Sequence, residues 1–194
     1  DVVEVLLAAG ADVKAKGSTG QTAMDEALRY RHTEVARLLA ARGAPLSMDR
    51  QMKDAVLRGQ TDIVAMMLEL GADPKPYLFD AALKGHRAVV ELLLSKGADV
   101  KRKSATGGTA LHEAALAGHA PVVELLLDKG ADIDARDADA GSTPLMLAAG
   151  FGRVEVVKVL VARGANKALR NNAGKTALDL ARDGGFTDAE AALR

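Results

Sequence analysis

Residues Thr109–Asp132 read TALHEAALAGHAPVVELLLDKGAD: two short apolar-patterned segments joined at Gly118-His119 and closed by Gly130-Ala131-Asp132. Thr109 is placed to cap the first segment, its hydroxyl accepting from backbone N–H groups that a helix start leaves unpaired. Gly118 ends that segment because glycine enters the left-handed region at no steric cost. Pro121 is expected at the first helical position of the second segment, where its missing N–H costs nothing, and Gly130 ends that segment. Each segment is too short to bury an apolar face alone, so the unit needs neighbours.

The neighbours are repeats of the same unit. Gly-Ala stands at Gly10, Gly43, Gly71, Gly97, Gly130 and Gly164, giving spacings of 33, 28, 26, 33 and 34 residues. A period near 33 with helix–turn–helix content marks a stacked repeat architecture. The starts Thr109-Ala110-Leu111-His112, Thr143-Pro144-Leu145 and Thr176-Ala177-Leu178 return with it, as does the run Val122-Val123-Glu124-Leu125-Leu126-Leu127.

On these residues the chain resembles the ankyrin repeat family over essentially its whole length. The resemblance implies an all-α fold, an elongated solenoid of stacked helix–turn–helix units with short β-hairpin fingers. One domain is expected over 1–194: a half repeat at 1–15, repeats at 16–44, 45–71, 72–97, 98–131 and 132–165, and a C-terminal capping repeat at 166–194. The half repeat is apolar where a terminal helix is normally polar, and reads as a repeat cut in half. The two short spacings place their deficit before the first helices of the second and third full repeats, at 44–49 and 72–76. Two fingers are therefore expected to be missing, with Pro74 and Pro76 favouring a stiff extended link. Those repeats carry Arg50 and Pro76 where the others have the Thr cap. In the first full repeat Thr22 is the expected cap, Thr33–Ala41 the second helix, and Asp25 stands where the motif has His. Arg31 replaces the inter-helix glycine there, and a less tight turn is expected. The finger at 134–142 carries one extra residue, and 187–193 reads as a short polar capping helix.

Composition limits the function. The chain is 48% hydrophobic but only 3% aromatic, which suits closely stacked Ala- and Leu-rich helices. Lys and Arg number 26, as do Asp and Glu, so the basic field that nucleic-acid binding requires is missing. The sequence has no cysteine, which excludes disulfides and thiolate metal sites. No apolar run reaches membrane-spanning length. The chain reads as soluble and monomeric, a cytoplasmic setting being preferred to a secreted one.

No catalytic, metal or cofactor site is read from the residues. His32, His86, His119 and His112 fall in different repeats, at positions where the family carries structural histidine. The acidic stretch 132–141 lacks the ligand spacing and terminal Glu of a calcium loop, and reads as a solvated finger. Lys101-Arg102-Lys103 has no aromatic residues interleaved with it, and reads as a solvated tip attracted to that finger. What remains is the surface the family uses for partners, a concave groove lined by the ends of the first helices. The resemblance puts Arg29 and Tyr30, Leu57 and Arg58, Leu83 and Lys84, Leu116 and Ala117, and Gly150 and Phe151 along it. It implies a noncatalytic module that binds another protein or peptide there, with no nucleic acid or membrane partner. The alternatives are a recognition arm of a larger enzyme or channel and an engineered scaffold; the irregular repeats weigh against the latter. The missing fingers are expected to leave a notch beside Leu57, Arg58, Leu83 and Lys84.

Overall fold

A computed structural model describes residues 2–194; Asp1, which opens the expected half repeat, lies outside the described residues. These form thirteen α-helices and one short 3₁₀ turn, with no strand and one isolated bridge, between Lys16 and Thr22. They divide into two compact units, residues 2–73 and 74–194.

The first unit holds α1 (Val2–Ala8), α2 (Ala23–Arg29), α3 (Thr33–Ala41), α4 (Met48–Leu57) and α5 (Thr61–Glu69). Thr22 starts α2 as expected. Its hydroxyl accepts from the Asp25 N–H at 3.2 Å, and the Asp25 carboxylate accepts from the Thr22 N–H at 2.9 Å and hydroxyl at 2.8 Å. A carboxylate thus closes the capping box where the motif has His. The core is rich in methionine: Met24, Met52, Met66 and Met67 are all inaccessible. These unbranched side chains fill irregular gaps. α2 packs on α3, α4 on α5 and α3 on α5, while α2 and α4 make no comparable contact. α1 buries none of its residues, and Val2, Val5 and Leu6 are exposed.

Two expectations in this unit need correction. The turn at Arg31 keeps the tight geometry: Arg31 takes φ 60°, the one non-glycine in the left-handed region among the described residues. The bonds from Arg31 N–H to the Leu28 carbonyl and from His32 N–H to the Ala27 carbonyl, at 3.2 and 2.8 Å, impose that conformation. The Arg31 guanidinium then meets Asp62 of α5 through two bonds, at 3.0 and 2.8 Å. Helix α4 does not begin at Arg50: Ser47 is its N-cap, without a side-chain cap bond. The α3–α4 connection occupies only 42–47, and the helix begins earlier.

The second unit opens with the 3₁₀ turn Lys75–Tyr77. It continues with α6 (Leu78–Leu83), α7 (Arg87–Ser95), α8 (Ala110–Ala117), α9 (Ala120–Asp128), α10 (Pro144–Gly150), α11 (Val154–Ala162), α12 (Ala177–Asp183) and α13 (Thr187–Leu193). Here the third correction falls: Pro74 adopts helical angles (φ −68°, ψ −23°), and the two prolines build a turn rather than an extended link. Pro76 lies inside it and caps nothing. Pro121 sits one residue inside α9, after Ala120, still within the first turn where N–H groups lack helical partners.

First helices pack in a row, α6 on α8, α8 on α10 and α10 on α12, and second helices likewise, α7 on α9, α9 on α11 and α11 on α13. Thr143 and Thr176 accept from the N–H three residues on, at 3.3 and 3.2 Å. Between helix pairs the chain makes tight turns closed by Ser104 N–H to Gly108 carbonyl, Asp137 to Ser142 and Asn171 to Lys175, at 2.8 to 3.0 Å. The middle turn spans one residue more than the others. The turns join one another through Ala138 N–H to the Thr106 carbonyl (2.9 Å) and Asn172 N–H to the Ala140 carbonyl (2.8 Å). The repeated Asp or Asn after Gly-Ala also has a local task. Asp99, Asp132 and Asn166 each accept from the N–H two residues on, at 2.9 to 3.1 Å, as Asp12 does in the first unit.

Candidate partner-binding surface

In each unit the named surface residues fall within the last two helical positions or at the C-cap of a first helix. In the first unit, Arg29 and Tyr30 end α2 and Leu57 and Arg58 end α4. Tyr30 is 61% exposed; its ring lies 5.6 Å from the Arg29 guanidinium and 6.3 Å from the His32 ring. Arg29 pairs with Glu26 at 3.8 Å and Arg58 with Asp54 at 3.0 Å, all four exposed enough for solvent screening. Leu57 is half-buried.

In the second unit, Leu83 and Lys84 end α6, Leu116 and Ala117 end α8, and Gly150 and Phe151 end α10. Because these helices pack in order, the three ends are brought together on one side. Phe151 is 53% and Leu83 37% exposed, while Leu116 and Ala117 are half-buried. The carbonyls behind them are occupied: His119 Nε2–H donates to Leu83 O at 3.0 Å, and Arg153 Nε–H to Leu116 O at 2.9 Å. Both donors cross over a glycine of the preceding turn. A Cβ on Gly85 would lie 2.5 Å from the His119 ring, and one on Gly118 would lie 2.9 Å from Arg153. Gly150 faces Leu180 of α12, so it belongs to the packing between helices as much as to the surface.

His112 does structural work. Its Nδ1 accepts from Thr109, N–H at 3.1 Å and hydroxyl at 2.9 Å, and Nε2–H donates to the Ser142 carbonyl at 3.1 Å. The carbonyl fixes the tautomer, since it can only accept. Burial holds the imidazole below its ordinary range, and both nitrogens are occupied by a neutral ring. Among the described residues no group of His, Asp or Glu is placed to hold a metal ion, and no helix is long and apolar enough to cross a membrane.

Two features were not read from the sequence. Glu113 on α8 is half-buried; burial first, and Asp80 on α6 second, push its carboxyl above the usual range. The basic tip engages more than the acidic finger: Arg102 lies 6.0 Å from the Phe79 ring centre, and Lys103 donates to the Arg136 carbonyl at 3.4 Å.

Stacked helix pairs joined by short turns define a helical repeat protein. Family models described as ankyrin repeats match residues 52–137 (three copies) and 138–181 (many copies). The chain belongs to the ankyrin repeat family, whose members are generally protein–protein interaction modules. It is 60% identical over 42 residues to the E3 ubiquitin-protein ligase hecd-1 of Caenorhabditis elegans. That match covers 22% of this chain and 2% of the relative.

Proposed function

We propose that the chain is a noncatalytic module that binds another protein or a peptide through the ends of its first helices. The observation that carries this is the placement of Tyr30 and Phe151. The chain has only two Tyr and three Phe, and these two stand exposed at the same register of their repeats, immediately after α2 and α10. Exposed aromatics beside arginine are typical interface anchors. In the first unit the anchor is Tyr30 with Arg29, Leu57 and Arg58. In the second it is Phe151 with Leu83, Lys84, Leu116, Ala117 and Gly150. Rigid repeats present these side chains already ordered, so binding loses little conformational entropy. No cofactor, nucleic acid or membrane enters this reading, which takes the chain as a monomer.

The short match to a ubiquitin ligase supports a second reading, a substrate-recognition arm within a larger enzyme. Its 42 residues are little more than one repeat, so shared repeat chemistry accounts for it more simply.

The test is affinity capture from the source organism's lysate with wild-type, Tyr30→Ala, Phe151→Ala and Arg58→Glu chains, all checked for helicity. A partner retained by wild type and by Glu91→Ala or Lys158→Ala, and lost from the three variants, supports the surface. Loss on the Glu91 or Lys158 change with the three variants intact contradicts it.

A further inference from the structure

Burial divides the first helices of the second unit in one pattern. In α8, Glu113, Leu116 and Ala117 are half-buried while the rest of Ala110–Ala115 is buried. In α10, Leu147 and Gly150 are half-buried and Phe151, its C-cap, is exposed, while the remaining residues are buried. Positions i, i+3 and i+4 share one helix face, so each helix turns such a set away from the core. The same register gives Asp80, Leu83 and Lys84 on α6, and Leu180 and Asp183 on α12. Because α6 packs on α8, α8 on α10 and α10 on α12, these sets lie side by side. Carboxylates stand at the α6–α8 end. At the α10–α12 end stand Leu147, Phe151 and Leu180, and Gly150 meets Leu180 there with no side chain of its own.

Glu113 is the uncompensated group on this face. Its carboxylate makes no hydrogen bond or ion pair among the described residues. Burial and the neighbouring Asp80 both oppose its charge, and no cation counters them. Lys84, one turn beyond Asp80 on α6, is exposed and does not offset Glu113. Asp183, the carboxylate at the far end, is already paired with Lys175 at 2.5 Å. A partly desolvated anion of this kind gains from a cation that a ligand brings.

We propose that this face docks a partner-protein segment that sets a Lys or Arg side chain against Glu113 and Asp80 and apolar side chains against Leu147, Phe151 and Leu180. The proposal rests on the protein-binding reading and specifies the chemistry of the partner. Charge complementarity selects the occupant: a cation meets the two carboxylates, and an acidic residue in its place is repelled by both. The apolar end covers Phe151, which is 53% exposed. Packed helices lie about 8–10 Å apart, so the apolar side chains follow the cation at one and two such steps. In an extended segment, rising about 3.3 Å per residue, each step is about three residues.

The test titrates the ¹⁵N-labelled chain with the blocked heptapeptide Lys-Gly-Ser-Leu-Gly-Ser-Leu and with two analogues carrying Glu or norleucine in place of Lys. The Lys peptide is expected to shift the amides of Glu113, Leu147 and Leu180 saturably at millimolar concentration. The norleucine analogue should bind at least several-fold more weakly, and the Glu analogue should shift none of them. Glu113→Gln, an isosteric change at a half-buried position, should weaken the Lys peptide several-fold with helicity unchanged and leave the norleucine analogue unaltered. Lys101→Glu should leave all three as they were. Equal response to the Lys and Glu peptides, insensitivity to Glu113→Gln, or no saturable shift by several millimolar overturns the proposal. Saturable shifts confined to Tyr30 and Arg58 overturn this face as the docking site while leaving the protein-binding reading standing.

Discussion

Asp25 and His112 occupy the same place in their repeats and close the same capping box, yet they leave their units held differently. The His112 ring has two nitrogens pointing in opposite directions. One accepts from Thr109 within the repeat, and the other donates to the Ser142 carbonyl at the start of the next. A carboxylate only accepts. Asp25 secures Thr22 but is hydrogen-bonded to the following repeat only through the 3.3 Å bond from Gln51 among the described residues. In the second unit the inter-repeat turns also bond to one another. In the first, the connection at 42–47 offers no such turn, and a cleft opens between α2 and α4. Where the connection carries such a turn, at 96–109 before α8, the first helices on either side of it, α6 and α8, pack together.

The largest expected effect is at the histidine. His112→Ala removes a buried ring bonded at both nitrogens and takes from the Ser142 carbonyl one of its two bonds, the other coming from the Asp137 N–H, so it should cost about 2–3 kcal/mol. Asp25→Ala removes a partly exposed capping partner and should cost about 1 kcal/mol. Denaturant unfolding of both variants measures the difference, and equal costs would break the comparison.

The next effect is in pH. Burial lowers the His112 pKa, so the unfolded chain takes up a proton that the folded chain refuses. The stability this neutral ring contributes is present above the unfolded pKa, about 6.5, and is lost as pH falls below it. Melting temperature should therefore drop between pH 7.5 and 5, and less steeply in His112→Gln. An identical slope in that variant would show that another group controls the acid response.

The smallest effect concerns Arg31. Its positive φ is strained, and its pair with Asp62 is solvent-exposed. Arg31→Gly, which relieves the strain, should raise the melting temperature slightly. Arg31→Ala, which keeps the strain and loses the pair, should lower it. A drop for both would mean that the ion pair outweighs the backbone.

Much of the fold was legible because its signals are local. The Thr caps at 22, 109, 143 and 176 and the bounds of α3 and α13 follow from side chains acting within one helical turn. The misread places depend on contacts made elsewhere. Arg31 is forced left-handed by bonds to α2 carbonyls, which outweigh the preference of a non-glycine residue. Ser47 starts α4 because the chain crosses from α3 within 42–47, a consequence of path length rather than capping chemistry. For the candidate surface, Tyr30 and Phe151 were readable from register. The repulsion between Glu113 and Asp80 and the cleft were not, because both arise from how helices about one repeat apart face each other.

Amide hydrogen exchange along the full chain tests the contrast most directly, because it reads each helix against its own neighbours. With packed first helices and turns bonded to one another, α8 and α10 should exchange slowest. The α2 and α4 amides beside the cleft should exchange faster, and α1, with no buried residue, fastest of all. Equal protection of α2, α4, α8 and α10 would contradict the account, showing that Asp25 and the short connection hold their repeats as firmly as His112 and the bonded turns hold theirs.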